Sequence, residues 1–364
     1  MNVVRAAIAT SLVAVGCSGQ TLDVGYDAGA APEYAGPGPM VPGPAPVATH
    51  QYGALAVAVD DTRVYWSTDL TNQTRQDLSV VRSCTKADCG GSVVTYGNQQ
   101  WDARRLVARR GRIYWRVTSG DQSSQSIVAC PVDGCPGAPA LIASGVSAWD
   151  FVVDDEAVYF SSPSDAAILR CPIGGCQGAP TVVALLDAPV FGLAADQKNL
   201  YWSEAAAADS GAIKTIRKDG STPAAIVAAG LHLPGAVAVY ADRVYWAESV
   251  SQGTIRSCPI AGCAGEPTAL VTEQRYPQGL AVDQAHVYWF TIAEPSGGKG
   301  QILECPLGGC GSSPTVLATD QPTPTGLAVD SSSVFWTNKG EAKYDSRPSL
   351  YYDGSVNRVP IAWP

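Results

Sequence analysis

The chain has 364 residues, 46% of them apolar and only 16% charged, with 37 Gly, 26 Pro and 11 Cys. That length supports a large core, and many turn formers among few charges suit short strands joined by tight loops. A formal net charge of −9 argues against a nucleic-acid partner, because counterion release from a phosphate backbone needs a cationic face.

Residues 1–5 carry a positive charge at Arg5, and residues 6–15 form an apolar run. The run matches a signal-peptide core and is too short to span a bilayer as a helix. An odd cysteine count in an exported chain asks for one cysteine with a separate task. Ala14-Val15-Gly16-Cys17 resembles a bacterial lipobox, in which a small residue precedes a cysteine that receives lipid before cleavage. Ala14 stands where a leucine is usual. The resemblance implies a signal peptide over residues 1–16 and a lipid on Cys17, with plain export as the alternative. Ser18, rather than Asp, leans toward the outer membrane of the cell envelope. Residues 17–43 are rich in Gly, Pro and Ala, lack apolar periodicity and read as a tether.

From residue 44 onward one phrase recurs. It is an apolar run, often ending in Asp, followed a few residues later by Val-Tyr-Trp or a close variant. It ends at Trp66, Trp115, Phe160, Trp202, Trp246, Trp289 and Trp336, with spacings of 42 to 49 residues. Between these anchors lies a second phrase, such as GTIRSCPIAGCAGEPTALV at residues 253–271, which reads as strand, tight turn and strand. Four short strands at this period make one propeller blade. The expected fold is all-β: a seven-bladed β-propeller over residues 44–364.

The seventh repeat supplies a third strand at residues 354–361 but no fourth. Residues 45–60, APVATHQYGALAVAVD, match residues 315–330, TVLATDQPTPTGLAVD. Residues 45–50 therefore read as an orphan fourth strand that completes the last blade. Closure of this kind removes exposed sheet edges.

Adjacent strand residues point to opposite faces, so Tyr65 and Trp66, or Tyr288 and Trp289, fill the gaps on either side of one blade. Each Trp offers roughly 5 kcal/mol of gross transfer energy, an upper bound. Asp60, Asp154, Asp196, Asp283 and Asp330 follow the first strand, where an Asp accepts backbone N–H bonds within a turn. Val64 to Asp69, VYWSTD, resembles the YWTD repeat of low-density-lipoprotein-receptor-type propellers, with LYWSE and VFWTN as weaker echoes. The resemblance implies propeller architecture. Receptor YWTD propellers have six blades, whereas seven repeats are counted here.

Ten further cysteines form five pairs of one type: Cys84/Cys89, Cys130/Cys135, Cys171/Cys176, Cys258/Cys263 and Cys305/Cys310. Each pair flanks the turn between third and fourth strands, where cross-strand neighbours lie near disulfide reach. Ile216 and Ser221 replace both members in the fourth repeat, and no half pair is left over. Five local disulfides are expected, which an oxidising compartment permits. A closed zinc site needs four ligands, and these pairs lie on different blades, so no metal or cofactor is expected.

Loops entering first strands and loops joining second to third strands emerge on one face, here named the top face. The second-to-third loops vary most, at residues 67–77, 290–300 and 337–349. The entering segments place Trp101, Asp102, Arg104, Arg105, Trp149, Asp150, Phe191, Tyr276 and Gln278 at the rim, a candidate ligand-binding set. No G-x-S-x-G, H-E-x-x-H or phosphate loop occurs. The favoured reading is a monomeric, lipid-anchored binding module without catalysis, with a protein or glycan partner at the top face. The alternative is an extracytoplasmic propeller enzyme (lyase, lactonase or glycan-cleaving) that uses His232 with Asp102 or Asp150 and an arginine. It requires His232 beside a rim acid in the channel mouth.

Overall fold

The computed structural model describes residues 43–51, 53–68, 79–118, 124–294, 298–343 and 350–361. The signal segment, Cys17 and the tether up to residue 42 lie outside the described residues. All described residues fall within one compact unit, Val41–Pro364. They form seven small antiparallel sheets arranged as a seven-bladed β-propeller, with no helix among them.

Blade 5 shows the plan. Its four strands, Pro234–Tyr240, Arg243–Glu248, Gly253–Pro259 and Thr268–Gln274, pair in chain order from the central axis outward. Val, Ile and aromatic residues favour the half-buried pleat, and turn formers end each run. Blades 1 and 2 depart from strict separation. The outer strand of blade 1 continues into the inner strand of blade 2 as one run, Val94–Arg109, bent at positive-φ positions Gly97 (61°), Asp102 (50°) and Arg105 (50°). Blade 7 carries an additional hairpin, Glu341–Lys343 with Leu350–Tyr352, between its second and third strands.

The fourth strand of blade 7 is Ala45–Ala48. It pairs antiparallel with Ser355–Pro360, placing Ala45 opposite Arg358 and Ala48 opposite Val356. The seam is tied further on either side of this strand. Gln51 N–H donates to Gly354 O at 2.7 Å, and Thr325 Oγ1 donates to Ala54 O at 2.9 Å. Lys86 of blade 1 forms an ion pair with Asp330 of blade 7.

The core is divided into seven apolar clusters, one at each blade junction. Each joins the Tyr of one blade to the Trp of the next: Tyr65 with Trp115, Tyr201 with Trp246, Tyr245 with Trp289 and Tyr288 with Trp336. Tyr114 meets Phe160, and Tyr159 meets Trp202. Phe335 with Trp66 completes the circle. All six tryptophans are at most 1% exposed. A buried indole N–H needs an acceptor. Gln51, Gln274 and Gln321 accept from Trp66, Trp289 and Trp336 at 2.8, 3.2 and 2.8 Å, each from fifteen residues upstream. Gln274 and Gln321 lie in the outer strand of the preceding blade. Gln51, three residues beyond Ala48, gives the seam the same latch.

All ten paired cysteines are bonded within their own hairpins. The Cα–Cα distances are 4.8 Å for Cys84–Cys89, 5.1 Å for Cys130–Cys135, 5.0 Å for Cys171–Cys176, 5.3 Å for Cys258–Cys263 and 5.8 Å for Cys305–Cys310. A loop this short implies about 2 kcal/mol per bond. Five such bonds point to an extracytoplasmic location. The two members of a pair are not equivalent cross-strand neighbours. The first, at Cys84, Cys130, Cys171, Cys258 or Cys305, is buried in the third strand. The second, at Cys89, Cys135, Cys176, Cys263 or Cys310, lies in the connecting turn before the fourth strand begins and is only half-buried. The reason is that the turn is held by the neighbouring blade as well as by its own. Cys89, Cys135, Cys176, Cys263 and Cys310 each pack against the apolar cluster of a blade junction. The N–H groups of Cys176, Cys263 and Cys310 donate to Ile142 O, Val227 O and Leu270 O of the preceding outer strand, at 2.8, 3.2 and 2.8 Å. Gly175, at φ 98°, lies where a Cβ would stand 2.6 Å from Leu141 O. Only glycine fits both the backbone and that approach.

Every recurrent Asp uses Oδ1 to accept two backbone N–H bonds in its turn, as Asp196 does from Lys198 and Asn199 at 2.6 Å. The other oxygen takes a second partner. Tyr65, Tyr201 and Tyr288 donate to Asp60, Asp196 and Asp283 at 2.5, 2.6 and 2.8 Å. In blades 3 and 7 the partners are Lys218 and Lys86 from neighbouring blades. Burial works against charge on Asp60 and Asp196, but the tyrosine hydroxyl and turn N–H groups outweigh it and hold both carboxyls below the usual range. Burial, followed by the Asp196 hydrogen bond, pushes the Tyr201 phenol up to about 12.

Two outcomes are expected. A chain beginning at residue 41 should unfold in denaturant like the full protein. A chain beginning at residue 52 should lose about 4 kcal/mol, from roughly four ladder and latch hydrogen bonds at about 1 kcal/mol each, and should self-associate in size-exclusion chromatography. For acid, carboxyls depressed in the folded state stabilise fully above their unfolded value, and that contribution disappears as pH falls through the folded value. The melting temperature should therefore drop between about pH 5 and about pH 2. The Asp60→Asn/Asp196→Asn double variant should start lower at neutral pH and fall less over that interval.

Candidate functional site

The inner strands of all seven blades line a central channel that opens on the top face as a cavity of about 650 Å³. A β-bulge recurs where inner strands enter this mouth, between Arg104 and Leu106, Val190 and Gly192, Pro234 and Val237, Gln278 and Leu280, and Pro324 and Gly326. Bulges twist a strand locally and re-aim side chains. Glycines let the strands crowd around the axis: a Cβ on Gly192 would lie 2.7 Å from Gly235 O, and one on Gly326 3.0 Å from Leu55 O.

Among the described residues, blades 2 and 3 carry the charges of the mouth. Arg105 Nε lies 2.7 Å from Asp150 Oδ1 and donates to Phe151 O at 3.3 Å. Asp150 also accepts from the N–H groups of Phe151 and Leu193 at 2.8 and 3.0 Å, which fixes it across the junction of blades 3 and 4. Asp102 receives Arg104 through Nε and the buried Arg116 through Nη2 at 3.4 Å. Arg116 Nη1 donates to Ala148 O at 3.0 Å. Burial lowers the proton affinity of Arg116, and the Asp102 carboxylate opposes that effect.

Beside this charged sector stands an aromatic one. Trp149 is 58% exposed and Phe191 45% exposed, in contrast to the buried junction tryptophans. Both side chains line the channel mouth, and they also line an adjoining hollow of about 470 Å³ with Leu233, Pro234, Ser249 and Gln278. The two hollows share Trp149, Phe191, Ala236 and Gly279 and form one continuous surface.

Of the nine rim residues expected from sequence, Asp102, Arg104, Arg105, Trp149, Asp150, Phe191 and Gln278 line these two hollows. Trp101 pairs with Thr118 through its backbone, and its side chain lies outside the description. Tyr276 is half-buried and packs against the junction of blades 6 and 7. Arg116 and Gln125 line the mouth but were not singled out, because within the repeat they read as ordinary strand positions. Residues 69–77, 295–297 and 344–349 of the variable loops lie outside the described residues.

His232 does not enter the mouth. Its Nδ1 lies 2.5 Å from Asp209 Oδ1, and neither residue lines the channel. The pairing of His232 with Asp102 or Asp150 that the catalytic alternative requires is not formed. On the opposite face a groove of about 930 Å³ runs between blades 3 and 4. Its charges face one another, with Lys218–Asp154 at 2.8 Å, Arg109–Asp155 at 3.0 Å and Arg170–Glu156 at 3.9 Å, so few remain for a ligand.

No protein-family model matches the sequence, and no curated protein matches it. Solved structures do match. The computationally designed Ika8 protein is 14% identical with a TM-score of 0.51, over 87% of this chain and 98% of that one. A puromycin-hydrolyzing peptidase of Mycobacterium tuberculosis is 16% identical with a TM-score of 0.50, over 85% of this chain and 52% of that one. A chain of a nidogen/laminin complex is 18% identical with a TM-score of 0.43, over 64% of this chain and 84% of that one. At these identities the first two likenesses show the fold alone.

Proposed function

We propose that this protein is a lipid-anchored binding module of the bacterial cell envelope, which takes a protein or glycan partner at the top mouth of its channel. The observation that carries the reading is the exposed pair Trp149 and Phe191 beside the Arg105–Asp150 bridge. Among the described side chains every other tryptophan and phenylalanine is buried at a blade junction, so an aromatic surface left open at a channel mouth lacks a packing role. Binding energy concentrates on such anchors. The YWTD likeness is read as architectural, since Tyr65 and Trp66 are core residues.

The route of the chain sets the face at which an amino-terminal anchor would join. Strand Ala45–Ala48 runs from the disulfide face toward the top face, as its register with Ser355–Pro360 requires. Gly43 and Pro44 accordingly sit beside Pro360 and Ile361 on the disulfide side. A tether from a lipidated Cys17 would join the ring there, on the face opposite the top mouth. The five disulfides agree with residence outside the cytoplasm.

Two measurements test the reading. The Trp149→Ala/Phe191→Ala variant should melt within about 2 °C of the parent, because exposed side chains contribute little to stability. Its retention on immobilised cell-envelope material should fall about tenfold or more; undiminished retention would remove the channel mouth from the proposal. Cys17→Ser should abolish incorporation of a labelled fatty acid and move the protein from the membrane to the soluble fraction. A variant that stays membrane-bound would refute the anchor.

A further inference from the structure

Blade 2 is a basic sector in an acidic protein. Six of the 24 Lys and Arg residues lie between Arg104 and Arg116. Among the described residues, three of them, Arg104, Arg105 and Arg116, line the top mouth against two carboxylates, Asp102 and Asp150. That leaves one positive charge in excess on a chain whose net charge is −9.

The manner of pairing sharpens this imbalance. Arg104 and Arg105 each meet their carboxylate through Nε, the inner nitrogen of the guanidinium. The terminal Nη groups of both make no hydrogen bond to any described residue, and the side chains are 53% and 43% exposed. Asp150 is held by two backbone N–H groups as well as by Arg105, so it is fixed as a counter-ion. Two guanidinium forks are thus anchored at their base and open at their tips. Such a fork recognises a carboxylate through paired N–H donors. Beside the forks, the indole of Trp149 offers a flat apolar face of the size of a sugar ring. A small molecule with a lone acid group would leave the aromatic surface and the adjoining hollow unused.

From this juxtaposition we infer that the ligand of the top mouth is an acidic glycan, whose uronic acid rings lie on Trp149 and Phe191 while their carboxylates dock on Arg104 and Arg105. The inference rests on the binding function proposed above and specifies its ligand. Binding involves no covalent step. Opposite charge on ligand and site makes association fall with added salt, although the protein as a whole is acidic.

The test uses the full chain and two probes: oligogalacturonate, and the same oligomer with its carboxyl groups reduced to alcohols. Isothermal titration should show binding of the acid form, weakened by salt, and binding at least about tenfold weaker for the reduced form. Arg104→Gln should lose about tenfold in affinity for the acid form, and Arg104→Lys should recover part of it, with melting temperature unchanged in both. Trp149→Ala should weaken both probes. Equal binding of acid and reduced oligomers would overturn the inference, as would binding of neither. If neither oligomer binds while retention on envelope material still depends on Trp149, the ligand class is wrong and the binding surface stands. If that retention is also independent of Trp149, the broader reading fails with it.

Discussion

The structure depends on one repeated contact, the tyrosine of one blade against the tryptophan of the next. A four-stranded sheet of this size exposes two apolar faces and cannot bury either alone. Each face is covered only when a neighbour is present, and the obligation passes around the axis until Phe335 meets Trp66. An open array would leave two such faces and one sheet edge in water. The strand Ala45–Ala48 and the glutamine three residues beyond it resolve both defects at once.

Polar groups at the junctions follow from the same burial. An indole N–H or phenol O–H placed between blades costs free energy unless an acceptor accompanies it. Glutamine in or just beyond the preceding outer strand serves three tryptophans, and the turn aspartates serve three tyrosines. Where the pattern lapses, the chemistry shifts with it. Leu231 stands fifteen residues before Trp246, and that indole N–H has no hydrogen-bond partner among the described residues. Phe160 replaces tryptophan in blade 3 and needs no acceptor at all. Ile216 and Val359, in place of cysteine, are buried in the junction clusters and substitute packing for a covalent bond.

Much of this was legible in the sequence because a repeat states each rule several times. The period, the blade count, the orphan strand, the aspartate turns and the cysteine pairs all appear as recurrences. What escaped was relational. The glutamine latch is visible only once Trp66, Trp289 and Trp336 are known to face the preceding blade. The asymmetry within each disulfide, and the reach of its turn onto the neighbouring outer strand, need coordinates, although the glycines of those turns were the trace. The fusion of blades 1 and 2 through Val94–Arg109 leaves no mark, since left-handed Asp102 and Arg105 look like ordinary residues. At the channel mouth, sequence gathered most of the rim because entering segments are unlike one another. It placed Tyr276 there as well, whereas that ring serves the core, and it drew His232 toward acids that lie elsewhere.

The seam also dictates an order of events. Proteins are synthesised from the amino end, so the segment holding Ala45–Ala48 appears before any sheet that can receive it. Its partner, Ser355–Pro360, is made only after the strands of the six preceding blades. Pairing across so long a stretch of chain is slow, since entropy is lost before contacts compensate. Meanwhile the earlier blades can mature one behind another, and five of the seven hairpins close with a bond between cysteines five positions apart once the chain reaches an oxidising compartment. The early strand must therefore remain uncommitted while the rest accumulates. Its brevity and its central proline, Pro46, are suited to that wait, because a short edge interrupted by proline is a poor template for a premature partner.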